Sequence, residues 1–239
     1  MRNVLAIMQR ELLSLFCSPV AYIVIAGYLL ITGVSVLWSG AFAPGKPASL
    51  VEVFFWAPWF LTVIVPAICM RTISEEYRAG TMEKLMTAPL SDSQMVLGKY
   101  LASLVFFVVM LAPTLVYLFL MQAYGSPDWG QSLASYLGLL LVGVAFTAFG
   151  VFASSLTSNQ VVAWILGWVP LLLFAVLARF AANQVEGIWR AVFQQINVVG
   201  RYETFSKGLI TTDGVVFFLA VAMLFIFLTV KVVESRRWR

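Results

Sequence analysis

Six long apolar runs constrain this chain more than any other feature. They cover residues 20–38, 54–70, 101–122, 133–154, 161–180 and 215–233. A helix needs about 20 apolar residues, at about 1.5 Å of rise each, to cross the hydrocarbon of a bilayer. Each run is near that length, and 62% of the 239 residues are apolar while 11% are charged. A soluble fold of this size has no interior large enough for so much apolar surface. The expected class is an all-α polytopic membrane protein with six transmembrane helices. The second run is the shortest and carries Pro58 and Pro66; Pro113 and Pro170 also fall inside runs. Neighbouring helices can satisfy the carbonyls that such prolines free.

Between the second and third runs lies a polar island, residues 71–99. It holds eight of the chain's 26 Asp, Glu, Lys and Arg residues, four of each sign. Such a segment does not sit in lipid, and it is too long for a simple turn. Basic residues orient the chain. With both termini in the cytoplasm, that side holds Arg2, Arg10, Arg71, Arg78, Lys84, Lys99, Lys231, Arg236, Arg237 and Arg239. The other side holds Lys46, Arg179, Arg190, Arg201 and Lys207. Ten against five places the island in the cytoplasm. The net charge of +4 reflects juxtamembrane anchoring in the bilayer and calls for no nucleic acid.

Residues 1–19 read as an interfacial helix. Val4, Leu5, Ile7, Met8, Leu12, Leu15 and Phe16 share one face, before Ser18-Pro19 turns the chain into the first span. No cleavable signal peptide is expected, because Arg2, Arg10 and Glu11 interrupt the apolar character. Residues 181–214 form a longer segment on the other side. There Ile188, Trp189, Val192, Phe193 and Ile196 recur at helical spacing, which suits an amphipathic helix at the outer interface. No soluble domain is large enough for a core of its own, so residues 1–239 read as a single transmembrane domain.

Within the island, Gly80 and Pro89 bracket the block Thr81-Met82-Glu83-Lys84-Leu85-Met86-Thr87-Ala88. Thr81 suits an N-cap, Glu83 suits the positive end of the helix dipole, and Pro89 stops the helix. Met82, Leu85 and Met86 then share a face. Two turns of helix are unstable alone in water and need a partner surface. Ser91-Asp92-Ser93-Gln94 fits a capping box that launches the helix of the third span. A push on this foot would move two spans together. The turn Ser154–Gln160 between the fourth and fifth spans is short, uncharged and rich in capping residues.

The run "APWFLTVIVPAICMRTISEEYRAGTMEKLMTAPLSDSQMVLGKYLA" resembles the second and third spans of ABC-2 type transporter permeases. Glu76, Gly80, Thr81, Glu83, Leu85 and Pro89 match that family's cytoplasmic coupling pattern. "ELLSLFCSPVAYIV", "GVFASSLTSNQVVA", "YETFSKGLITTDGVVFF" and the ending "ESRRWR" resemble the gliding-motility subgroup, the GldF type. The resemblance implies a type V exporter-like permease of the bacterial inner membrane, with a short cytoplasmic coupling helix. It also implies a second permease copy or relative, two ABC ATPase subunits that bind ATP and magnesium, and an auxiliary membrane subunit with a periplasmic domain. Glu75, Glu76, Arg78, Gly80, Thr81, Met82, Glu83, Lys84, Leu85 and Pro89 would form the ATPase-coupling segment. Ser155, Thr157, Ser158, Asn159 and Gln160 would make a second contact.

Other classes fit less well. No ionisable group lies in the middle of a predicted span, which argues against a proton-coupled carrier. Ser93 stands where a Walker loop needs its first glycine before Gly98-Lys99, and Tyr100 follows. The chain thus lacks a nucleotide site of its own and is not expected to be an enzyme or to hold a cofactor. It has no histidine, which argues against a zinc-dependent intramembrane protease. A non-transporting anchor that transmits force to a membrane or periplasmic partner needs the same foot, and sequence does not separate it from an exporter.

Overall fold

The computed structural model describes residues 2–40, 50–82, 90–124, 127–184, 189, 193 and 195–237, and these are helical with short connections. Helix α1 (Arg2–Phe16) ends just before Ser18, whose extended backbone is the conformation that a following proline demands. Pro19 then occupies the first turn of α2 (Pro19–Trp38), where its missing N–H is no loss.

Helix α3 (Val51–Cys69) runs without a break through Pro58 and Pro66, so the weakest-looking span is a complete helix. Polar neighbours bind near these prolines: Thr62 Oγ1 donates to Trp59 O at 2.7 Å, and Trp164 Nε1 donates to Val63 O at 3.1 Å. The short α4 (Ser74–Ala79) follows. Helix α5 (Asp92–Leu111) starts on the expected capping box: Gln94 N donates to Ser91 Oγ at 3.3 Å, and Ser91 N to Gln94 Oε1 at 3.4 Å. Pro113 interrupts its ladder, and a 3-10 turn (Ala112–Thr114) leads into α6 (Leu115–Tyr124). Tyr136 OH donates to Thr114 O at 2.8 Å and secures this irregular point.

Helix α7 (Trp129–Leu156) is the central post; α8 (Gln160–Gln184), α9 (Val198–Ser206) and α10 (Thr212–Arg237) complete the order. Among the described residues, six helices are long and apolar enough to cross a membrane. Of the most apolar window, 72% is buried in α7 but only 22% in α2 and α8 and 17% in α10. The outer helices therefore present apolar faces to lipid or to other chains. Small residues let neighbours approach the post: a Cβ at Gly143 would lie 2.1 Å from the Phe107 ring, and one at Gly150 would lie 2.8 Å from Cys69 Cβ.

Helix α1 docks along the start of α5 rather than standing apart from the bundle. Gly98 makes this possible, since a Cβ there would come within 2.8 Å of Ile7 Cβ and Cγ2. Leu5 and Leu13 remain exposed on the far side of α1. At the same end, Arg236 Nη2 donates to Leu156 O at 2.6 Å, and its guanidinium stacks 4.5 Å from the Tyr77 ring centroid. Both ends of the chain thus meet at one end of the bundle.

The opposite end departs from the sequence reading. Residues 185–188, 190–192 and 194, which carry much of the expected amphipathic helix, lie outside the described residues. A helix not anticipated there, α9, is capped by Asn197, whose Oδ1 accepts from Gly200 N at 2.9 Å. Its Tyr202 and Phe205 are fully buried against α7 and α10. Part of this segment therefore belongs to the core and does not lie on the interface.

Candidate functional site

Lys99 sits two turns into α5, with its side chain 0% exposed. An ammonium in such a place must find anions or give up its charge. Here Nζ donates to Glu11 Oε1 at 2.9 Å and to Thr72 O at 2.8 Å. Glu76 Oε2 lies 2.9 Å away, an ion pair set off the line of a hydrogen bond. Arg10 Nη2 reaches both carboxylates, Glu11 Oε1 and Glu76 Oε1, each at 2.9 Å. Two cations and two anions close the network. They come from α1, α4 and α5, so three separate elements share one electrostatic lock around the buried Lys99.

Burial pushes the Glu11 carboxyl up, but the Lys99 and Arg10 charges outweigh it and hold the group below the usual carboxylate range. Arg10 is raised, chiefly by its hydrogen bond to Glu11. Both groups are charged at neutral pH, as a lock requires. Glu11 and Glu76 keep side-chain exposures of only 15% and 12%, so water screens their pairs with Lys99 weakly, while Arg10, 57% exposed, pairs with them nearer to water.

A second tie comes from α7. Ser154 is fully buried. Its Oγ accepts from Ile73 N and Ser74 N, both at 3.1 Å, and donates to Met70 O at 3.1 Å. Ile73 offers no side-chain cap to α4, so Ser154 satisfies the helix start from across the bundle. At the other end of α4, Gly80 adopts φ +67° and ψ 13°. That left-handed cap lets Thr81 N reach Glu76 O at 3.1 Å. With Arg236 over Tyr77, the short α4 is fixed by α1, α5, α7 and α10.

The residues singled out from sequence divide accordingly. Glu75, Arg78, Gly80 and Thr81 are exposed on the foot. Glu76 faces inward, its carboxylate committed to Lys99 and Arg10. Met82 also faces inward: it is 4% exposed and part of the chain's own core, not an open face for a partner. Glu83, Lys84, Leu85 and Pro89 lie outside the described residues. In the turn after α7, Ser158 and Asn159 are exposed and Thr157 and Gln160 half-buried. Asn159 Oδ1 accepts from Val161 N at 3.0 Å and starts α8. Ser155 is buried and donates to Phe152 O at 2.7 Å, so it serves the helix end, not the surface.

Sequence reasoning passed over Glu11, Lys99 and Ser154. One signal was present: Lys99 stands in "MVLGKYLASL" with no charged neighbour, and a lone ammonium among apolar residues implies a buried partner. Its partners are 88 and 23 positions away, and no local pattern pairs them.

The sequence profile described as the ABC-2 family transporter protein matches residues 56–235. The chain belongs to this ABC-2 transporter family. The matched stretch contains Glu76, Lys99 and Ser154, whereas α1 precedes it. Over 155 residues the chain is 26% identical to the probable multidrug ABC transporter permease YbhR of Escherichia coli (strain K12), and equally to the protein of that name from Escherichia coli O157:H7. The alignment covers 64% of this chain and 41% of each relative. The chain thus spans about two fifths of the length of the curated relatives it matches. Its six apolar helices and its family together make it a multi-pass membrane protein.

Proposed function

We propose that this chain is the membrane-spanning permease subunit of an ATP-driven ABC complex in the bacterial inner membrane, with both termini in the cytoplasm. Two separate ATPase subunits bind ATP and magnesium, and a second permease copy or relative completes the pathway. The coupling segment that begins at the exposed foot, Arg78, Gly80 and Thr81, and continues through residues 83–89 takes the ATPase stroke. The observation that carries this reading is the Glu11–Lys99–Glu76 lock. It makes α1, α4 and the start of α5 one block, so a displacement of the foot passes to the spans and is not lost in a loop. Support for an ATPase partner comes from the family, because ABC-2 transporters are ABC systems and this chain has no Walker loop.

The likeness to the GldF type rests on motifs at the start, middle and end of the chain; a force-transmitting role with an auxiliary subunit would use the same lever. The test is ATPase stimulation in the reconstituted complex. Glu83→Arg and Leu85→Asp are expected to abolish stimulation while membrane insertion stays normal. Full stimulation by both variants contradicts the assignment. Orientation is checked separately with Ser158→Cys in a Cys17→Ser background. Its thiol should react with an impermeant maleimide only after the cytoplasm is opened, and labelling in intact cells reverses the topology.

A further inference from the structure

Beside the lock, a cavity of about 310 Å³ opens between α1, α2, α3 and α5. Its walls differ in character. Ser14, Ser18, Arg71 and Glu75 make one side polar, while Val24, Ala67 and Phe106 make the other apolar. The charges on the polar side are not equivalent. Lys99 and Glu11 also reach the cavity, but they neutralise one another within the lock. Arg71 and Glu75 do not. Among the described residues neither forms an ion pair, and the sole acceptor on Arg71 is Ser18 Oγ, 2.9 Å from Nη1. Arg71 Nε is buried and has no hydrogen-bond partner there. A guanidinium carries five N–H donors, and leaving even one of them dry and unpaired is unfavourable.

A free anion would answer Arg71 but leave Glu75 facing it. A ligand with a phosphate and a primary ammonium answers both. The apolar wall and the position of the cavity where α1 gives way to the first span add a third requirement, hydrocarbon attached to the headgroup. We propose that this cavity binds a phospholipid of the phosphatidylethanolamine class. Arg71 and the Ser18 hydroxyl hold its phosphate, Glu75 holds its ammonium, and its acyl chains leave along α2 past Val24. Guanidinium groups suit phosphate through paired N–H bonds, and basic pockets between spans are known resting places for headgroups. The proposal concerns the permease alone and does not depend on an ATPase partner.

The test is native mass spectrometry of the full chain released from mixed micelles. These contain equal amounts of phosphatidylethanolamine, phosphatidylglycerol and phosphatidylcholine. Phosphatidylethanolamine adducts are expected to exceed each of the others by about fivefold, the size of one partly exposed charge contact. Glu75→Gln should erase that preference without lowering phosphatidylglycerol retention, and Arg71→Gln should lower retention of all three. Equal retention of the three lipids by the wild type overturns the proposal, as does an unchanged preference in folded Glu75→Gln. Displacement of the lipid by an equal concentration of glycerophosphoethanolamine also overturns it, since the acyl chains would then contribute nothing. Should Arg71→Gln fail to fold, the wild-type and Glu75→Gln arms still decide.

Discussion

The two ends of the bundle are held together by different physics. At the end that carries both termini, one cation is taken out of water and paired: Lys99 is 0% exposed between two carboxylates 15% and 12% exposed, and Arg10, 57% exposed, bridges them from the water side. At the other end no ion pair among the described residues is closed off on both sides, although Arg201 itself is only 11% exposed. Arg179 and Glu203 meet at 2.7 Å with side chains 38% and 30% exposed, and Asp213 opposite Arg201 is mostly exposed. Cohesion there comes from Tyr202, Phe205 and Phe218, packed as in an ordinary core. A buried ion network tolerates few alternative geometries, because each displaced charge loses its partner in a poorly screened place. One end is therefore held by charges drawn together from α1, α4 and α5, and the other by close apolar packing.

Removing the central cation should break this contrast most strongly. Lys99→Met leaves Glu11 and Glu76 with only Arg10, and a loss of about 3–5 kcal/mol is expected from an uncompensated buried pair. Thermal unfolding of the purified protein measures it, and limited proteolysis should show α1 released first. Acid should act through the same lock. The folded state holds the Glu11 carboxyl below its usual range, so its stabilisation is complete above the ordinary carboxylate value. It is lost only as pH falls through the lowered one. Protection of α1 from protease, followed against pH, checks the sign.

Next in size is Gly98→Val. The new side chain collides with Ile7, and overpacking of about 1–3 kcal/mol should lift α1 without altering the far end. Ser154→Ala should cost about as much, because Ile73 and Ser74 are buried and both N–H groups lose their acceptor. Hydrogen exchange at those two amides reports it directly. The smallest effect belongs to the opposite end. Glu203→Gln should change the melting free energy by less than about 1 kcal/mol, and added salt should mask the difference. A large, salt-independent loss there would erase the contrast between the ends.

Much of this arrangement was legible in the residues, and the reasons are local. The spans follow from apolar run length, the start of α5 from Ser91 and Gln94, and the turn into α2 from Ser18-Pro19. Each depends on neighbours within a few positions. The span of α3 was legible in spite of its two prolines, but not the neighbours in α7 and α8 that pack against Pro66. Nor was the inward turn of Glu76 and Met82, which the resemblance assigns to contact with a partner. Lys99 completes the picture: its isolation was visible, while its partners are brought to it only by the docking of α1 at Gly98. Helix α9 was hidden by its short length and mixed composition, although Asn197 marks its start.

The rigidity of the terminus-bearing end can be measured directly. Spin labels at Gln9 on α1 and Ala79 on α4, both exposed, report the separation of the two elements in the assembled complex. The same separation is expected in the nucleotide-free and ATP-bound states, with Lys99→Met broadening the distribution in both. A wild-type distance that changes with nucleotide, while ATPase stimulation is intact, would show that α1 and the foot move independently and that the lock does not carry the stroke.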